Sequence, residues 1–210
     1  MFGDLYNLLY VYYGNLEWWP SETDDETVIG TILTQNTSWK NVEKALKKMK
    51  ENHVYTLNEI ATTDQERLKE LIKSSGFYNQ KSRYLLTLSK EITEKYGNLP
   101  GMKNKDIKEI EGFIMGLNGV GNETMESIML YALDYPVFVV DAYTLRFFKR
   151  FYGKDFSRKE IRNYAEEEFS EIDQLKNFHG MIVNLGKDFC KKTPVCKSCF
   201  LRDDCLYGKH

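Results

Sequence analysis

Four cysteines fall within one short stretch: Cys190, Cys196, Cys199 and Cys205, spaced C-x5-C-x2-C-x5-C. Thiolates bind metals, and loops of two and five residues close at little entropic cost, so all four can converge on one centre. A disulfide framework belongs to secreted chains. The start of this one, MFGDLYNLLYVYYGN, lacks the basic opening of a secretory signal and carries Asp4 early. Spacing alone leaves the metal open. Four-cysteine zinc sites usually pair two C-x2-C units across a longer gap, and all-thiolate ligation also suits an iron–sulfur cluster. Lys191, Lys192 and Lys197 lie in the first two loops, where they could face phosphate.

Two other arrangements could do chemistry. Leu117-Asn118-Gly119-Val120-Gly121 separates two helical stretches, 106–115 and 122–133. Glycines in such a connection let the amides of Gly119, Val120 and Gly121 approach a ligand, with the next helix N-terminus behind them. That geometry binds phosphate, although glycine is also the commonest turn residue. Further on, Asp141 follows the apolar run Val137-Phe138-Val139-Val140 and precedes Leu145, Phe148 and Phe151. It reads as an N-cap and equally as a carboxylate held beside a pocket, and the two are compatible. His53, His179 and His210 show no ligand spacing with one another, and His179 reads as a structural hydrogen-bonding residue.

The elements that must position these groups are helices. Val28, Ile29, Ile32 and Leu33 repeat at one-turn intervals, as do Val42, Leu46 and Met49. Leu68, Leu71 and Ile72 repeat in the same way, and so do Leu85, Leu88 and Ile92. Gly76, Gly97 and Gly101 mark expected turns and C-caps. The only strand-like run, 137–140, is too short and isolated to build a sheet. An all-α architecture of about ten short helices is expected. With 210 residues the chain can bury roughly 70% of its extended surface, which gives it a real core. No apolar run approaches the ~18 residues of a membrane span, so no membrane partner is expected and a cytoplasmic, nucleoid-associated location is.

Charge narrows the partners. The net charge is −2, where nucleic-acid binders are more often basic, so any such binding must use local patches. Arg146, Lys149, Arg150 and Lys154 stand without an acid in 144–154, against five acids and no base in 164–173. Ordinary solvated faces compete with a positive surface meeting a polyanion.

Taken as a set, Leu117–Gly121, Val139-Val140-Asp141 and the four cysteines resemble the helix-hairpin-helix DNA glycosylases, and most closely the endonuclease III group. The resemblance spans essentially the whole chain. It implies a 4Fe-4S cluster on Cys190, Cys196, Cys199 and Cys205. It also implies two helical lobes, 22–135 and 1–21 plus 136–210, with a DNA cleft between them. The first cysteine gap is five residues where the group usually has six, which reads as a loop change. The large departure is at Gly121-Asn122-Glu123-Thr124. Bifunctional members carry a lysine where Glu123 stands, and a carboxylate cannot form a Schiff base with the sugar. A monofunctional glycosylase without lyase activity is therefore expected, with Asp141 supporting displacement of the base by water.

Trp18-Trp19-Pro20, Thr34-Gln35-Asn36-Thr37-Ser38-Trp39, Ser75–Lys81 and Phe178-His179-Gly180 are similar to the 3-methyladenine DNA glycosylase III subgroup. That subgroup also has glutamate after the hairpin, and it removes alkylated purines. Some of its members lack the cluster cysteines. The partner implied is double-stranded DNA holding a damaged base, bound by a monomer. Such an enzyme must unstack its target, so it needs a pocket, a wedge and a carboxylate. Trp18, Trp19, Pro20 and Trp39 are the candidate stacking set for a cationic base, with core packing as the competing reading. Gln35 or Asn36 could be the wedge, or a buried amide. Glu123 could attract the base or merely cap its helix. Lys187 aligns with a pocket lysine of the subgroup but could equally touch phosphate. The alternatives are a glycosylase for oxidised or mismatched pyrimidines, possibly with lyase activity, and a non-catalytic DNA clamp.

Overall fold

Side-chain caps set where many helices begin. Thr23 accepts from the Glu26 N–H at 3.1 Å ahead of α2 (Asp24–Leu33). Thr56 and Ser157 form reciprocal capping boxes with Glu59 and Glu160, opening α4 (Leu57–Thr62) and α10 (Arg158–Glu168). Asp64 and Asp106 cap α5 (Gln65–Ile72) and α7 (Ile107–Met115). The other α-helices are α1 (Phe2–Tyr13), α3 (Trp39–Glu51), α6 (Tyr78–Tyr96), α8 (Asn122–Ser127), α9 (Ala142–Tyr152) and α11 (Ile172–Asp188). The structure is a computed structural model. It describes residues 2–16 and 18–209, leaving Met1, Glu17, His210 and the side chain of Phe2 outside the description. Among the described residues there is no strand, and no helix is long and apolar enough to cross a membrane.

The chain divides into two compact units, Ser21–Tyr135 and Met1–Pro20 with Pro136–His210. The continuous unit is built on the apolar faces of α2, α3, α5 and α6: Val28, Ile32, Val42, Met49, Leu68, Ile72, Leu85 and Ile92 are all buried. Its last helix does not run straight. After α8 the backbone widens into a π-helical turn, Ile128–Ala132, in which the Leu133 N–H reaches back to Ile128 O at 3.1 Å. Sequence periodicity implies one continuous helix there.

The discontinuous unit packs around Phe138, Phe148 and Phe178, each fully buried, with the Phe138 and Phe178 rings 5.4 Å apart. Val137–Val140 is buried without a strand partner. One of its backbone groups is satisfied by a side chain: the Phe138 N–H donates to Glu166 Oε1 at 2.9 Å. Asn177, buried on α11, ties α1 into this unit. It accepts from the Leu16 N–H at 2.8 Å and donates to Gly14 O at 3.2 Å.

Candidate active site

Asp141 is the N-cap of α9 and is 7% exposed. One carboxylate oxygen accepts from the Thr144 N–H at 2.7 Å and from the Thr144 hydroxyl at 2.9 Å. The other lies 3.7 Å from His179 Nε2. Burial by itself would push the carboxyl up. The His179 imidazole and the two Thr144 donors outweigh it and hold the group below the usual carboxylate range. The chain thus keeps a buried, ionised carboxylate at the mouth of a helix, and capping and charge are one arrangement.

The same unit brings Trp18 and Lys187 together on α11. Gly180 is the seat: a Cβ there would stand 2.7 Å from Trp18 Cγ, so only glycine admits the indole. Lys187, exposed and two turns further along the helix, places its ammonium 4.6 Å from the Trp18 ring centroid. Gly186 makes room for the Tyr143 ring in the same way, drawing the start of α9 onto α11. His179 therefore faces the catalytic candidate directly, whereas sequence reading gave it only a structural part. Its position beside a seat glycine was the available signal. Trp19 is half-buried and Pro20 exposed.

In the Ser21–Tyr135 unit the hairpin is held from two sides. Gln35 Nε2 donates to Gly119 O at 3.1 Å and to Thr124 Oγ1 at 3.2 Å. Gly119 has φ +86°, and a Cβ on it would fall inside the Tyr84 ring. Gly121 needs neither allowance: its φ is −104°, it is exposed, and a Cβ there would meet open space. The Val120 N–H is already used inside the turn, bonded to Leu117 O at 3.2 Å. Glu123 is exposed in the first turn of α8. Asn36 is exposed with φ +55°, and Trp39 is half-buried at the start of α3. A feature the sequence did not single out is Phe77. It is 64% exposed and has φ +46°, a left-handed conformation that is rare for a bulky side chain.

All four cysteines line one cavity, beside Phe147 and Leu185. Arg146 and Arg150 of α9 hold its rim. Arg146 Nε donates to Cys190 O at 2.8 Å, and Arg150 donates to Lys191 O at 2.6 Å and to Cys190 Sγ at 3.4 Å. Burial first, then the neighbouring cysteines, push the Cys199 and Cys205 thiols up. Among the described residues no three His, Cys, Asp or Glu side chains are grouped to hold a metal ion. The cavity and the all-sulfur donor set fit a thiolate-held metal centre. The basic run of α9 engages this loop only through Arg146 and Arg150; the exposed Lys149 pairs with Asp155 at 2.7 Å, and Lys154 lies 4.7 Å from the Phe156 ring centroid. Lys149 and Lys154 nonetheless stay exposed, as do the loop lysines Lys191, Lys192 and Lys197.

A glycine hairpin in one helical unit and a buried carboxylate in the other are the features by which the sequence resembles the helix-hairpin-helix base excision enzymes. The chain belongs to this class: residues 29–171 match the HhH-GPD superfamily of base excision DNA repair proteins. A Methanocaldococcus jannaschii protein, named provisionally as a DNA repair glycosylase, is 42% identical over 207 residues, covering 96% of this chain and 94% of its own. Endonuclease III of Thermotoga maritima is 33% identical over 189 residues, covering 89% and 84%. The H. pylori 3-methyladenine DNA glycosylase bound to 1,N6-ethenoadenine superposes with a TM-score of 0.75 at 26% identity, covering 89% of this chain and 96% of that one. The protein is a DNA glycosylase of base excision repair.

Proposed function

We propose that this enzyme is a monofunctional glycosylase that flips alkylated purines such as 3-methyladenine out of double-stranded DNA and hydrolyses their N-glycosidic bond. The observation that carries the reading is the ionised Asp141 in one unit with Trp18, which is seated on Gly180. The glycosidic electrons leave on the purine. A cationic purine accepts them readily, so no strong general acid is needed. The Asp141 carboxylate stabilises the oxocarbenium-like sugar and orients the attacking water, whose proton is then released. Trp18, Trp19, Pro20 and Trp39 supply stacking surface. Gly119 and Gly121 present amides to phosphate around the turn that Val120 closes. Glu123, where a lyase would hold its lysine, leaves the abasic site intact. Gln35 braces the hairpin from the α2 corner, and the exposed Asn36 and Phe77 are the groups available to enter the duplex. Cys190, Cys196, Cys199 and Cys205 would hold a 4Fe-4S cluster, which when bound cross-links the loop that carries Lys191, Lys192 and Lys197.

One observation favours a second reading. The Lys187 amine lies against Trp18 in the Asp141 unit, where it could serve as the imine-forming amine of a lyase. A panel of duplexes with one lesion each, scored for base release before and after alkali, separates the two. The first reading expects 3-methyladenine release, strand breaks only after alkali, and no borohydride-trapped complex. Efficient trapping that disappears in Lys187→Ala would establish the second. Release of oxidised pyrimidines without 3-methyladenine would overturn the substrate assignment.

A further inference from the structure

The first turn of α6 carries a lysine that the proposed chemistry does not use. Lys81 is 2% exposed. Its ammonium donates to Leu33 O and to Ser75 O, each at 2.7 Å. Burial lowers its pKa to about 8, so it remains charged at neutral pH. A buried lysine without a carboxylate is uncommon, and here two carbonyls take its charge. Both carbonyls end helical segments: Leu33 is the last residue of α2, and Ser75 closes the 3-10 turn Lys73–Ser75. A cation is well placed against such chain ends.

The residues just beyond each carbonyl give the bond its meaning. Two residues after Ser75 comes Phe77, and three after Leu33 comes Asn36; both are exposed and both have positive φ. Non-glycine residues held there persist only where their surroundings over-determine them. Between Leu33 and Asn36 lies Gln35, which grips the hairpin through Gly119 O and Thr124. Three residues beyond Lys81, Tyr84 fills the space over Gly119. One turn of α6 therefore fixes both corners and the hairpin.

We propose that Lys81 is a positioning residue that clamps the Asn36 and Phe77 corners in one register for entry into the duplex. This rests on the reading that those corners enter DNA, and the test separates the two ideas. Lys81→Met keeps the stem and removes the donors. Backbone hydrogen exchange should rise at least ten-fold at 34–37 and 74–78 together. Single-turnover base release from duplex DNA should fall ten-fold or more, while release from a single strand, where nothing need be displaced, changes less than two-fold. In a background that already carries Asn36→Ala and Phe77→Ala, Lys81→Met should slow the duplex rate no further. Unchanged exchange, equal losses on both substrates or multiplying effects would each overturn the clamp. If Phe77→Ala and Asn36→Ala leave duplex release intact, the entry reading itself fails and takes the clamp with it. Should Lys81→Met not fold, Lys81→Gln, which retains one shorter donor, is scored by the same measurements.

Discussion

Asp141 is ionised although it is buried, because Thr144 donates twice to one of its oxygens and His179 faces the other. Asparagine keeps the capping oxygen and loses the charge, so Asp141→Asn is a clean probe. Base release should fall by about 10²–10³-fold, the usual cost of removing an electrostatic stabiliser. Duplex affinity should stay within about two-fold, and a loss of affinity as large as the loss of rate would contradict the assignment. The pH behaviour has a definite sign. A carboxyl held low in the folded state contributes stability that is fully present above the ordinary value of about 3.9. That contribution is lost as pH falls through the lower folded value. Chemical denaturation followed from pH 6 to pH 2 should therefore show a steeper acid loss in the wild type than in Asp141→Asn.

The two hairpin glycines look alike in sequence and differ in structure. Gly119 is demanded by its positive φ and by the Tyr84 ring, so Gly119→Ala should cost at least about 1 kcal/mol of stability. Gly121→Ala should cost almost none. Gly121→Asp should instead weaken binding to damaged and undamaged duplexes alike, because phosphate contacts position a protein without specifying a base. Thermal melting and titration of both duplexes check the pair, and unchanged affinity in Gly121→Asp would remove the hairpin from the interface. Much at this scale was legible in advance: apolar periodicity in α2, α3, α5 and α6, and the cap Asp141. The extended run Val137–Val140 was also legible as no part of a sheet. The π turn at Ile128–Ala132 was not, since widening a helix by one residue per turn leaves no residue-type mark. Nor was Lys81, because lysine is almost never fully buried and only the fold reveals the carbonyls that receive it. The basic run of α9 was only half legible for a related reason. Local sequence shows charge but not that Arg146 and Arg150 face cysteine-loop carbonyls.

All four cysteines belong to the unit formed by Met1–Pro20 and Pro136–His210, and none to Ser21–Tyr135. The purified protein should carry four iron and four sulfide, and stoichiometric zinc alone would defeat the cluster proposal. Cys199→Ser should lose the group and lower the melting of the discontinuous unit, leaving the transition of the other in place. The discontinuity has a separate effect while the polypeptide is being made. Leu16 and its partner Asn177 are 161 residues apart. At ribosomal speeds of ~5–20 residues per second, the first helix waits roughly 8–30 seconds for its partner, while Ser21–Tyr135 can already fold. Through that interval Leu5 and Leu9, fully buried in the finished enzyme, have no surface to pack on. Each copy of this repair protein thus passes through a stage at which its own leading segment is an aggregation hazard. Sheltering of the nascent chain should govern its yield.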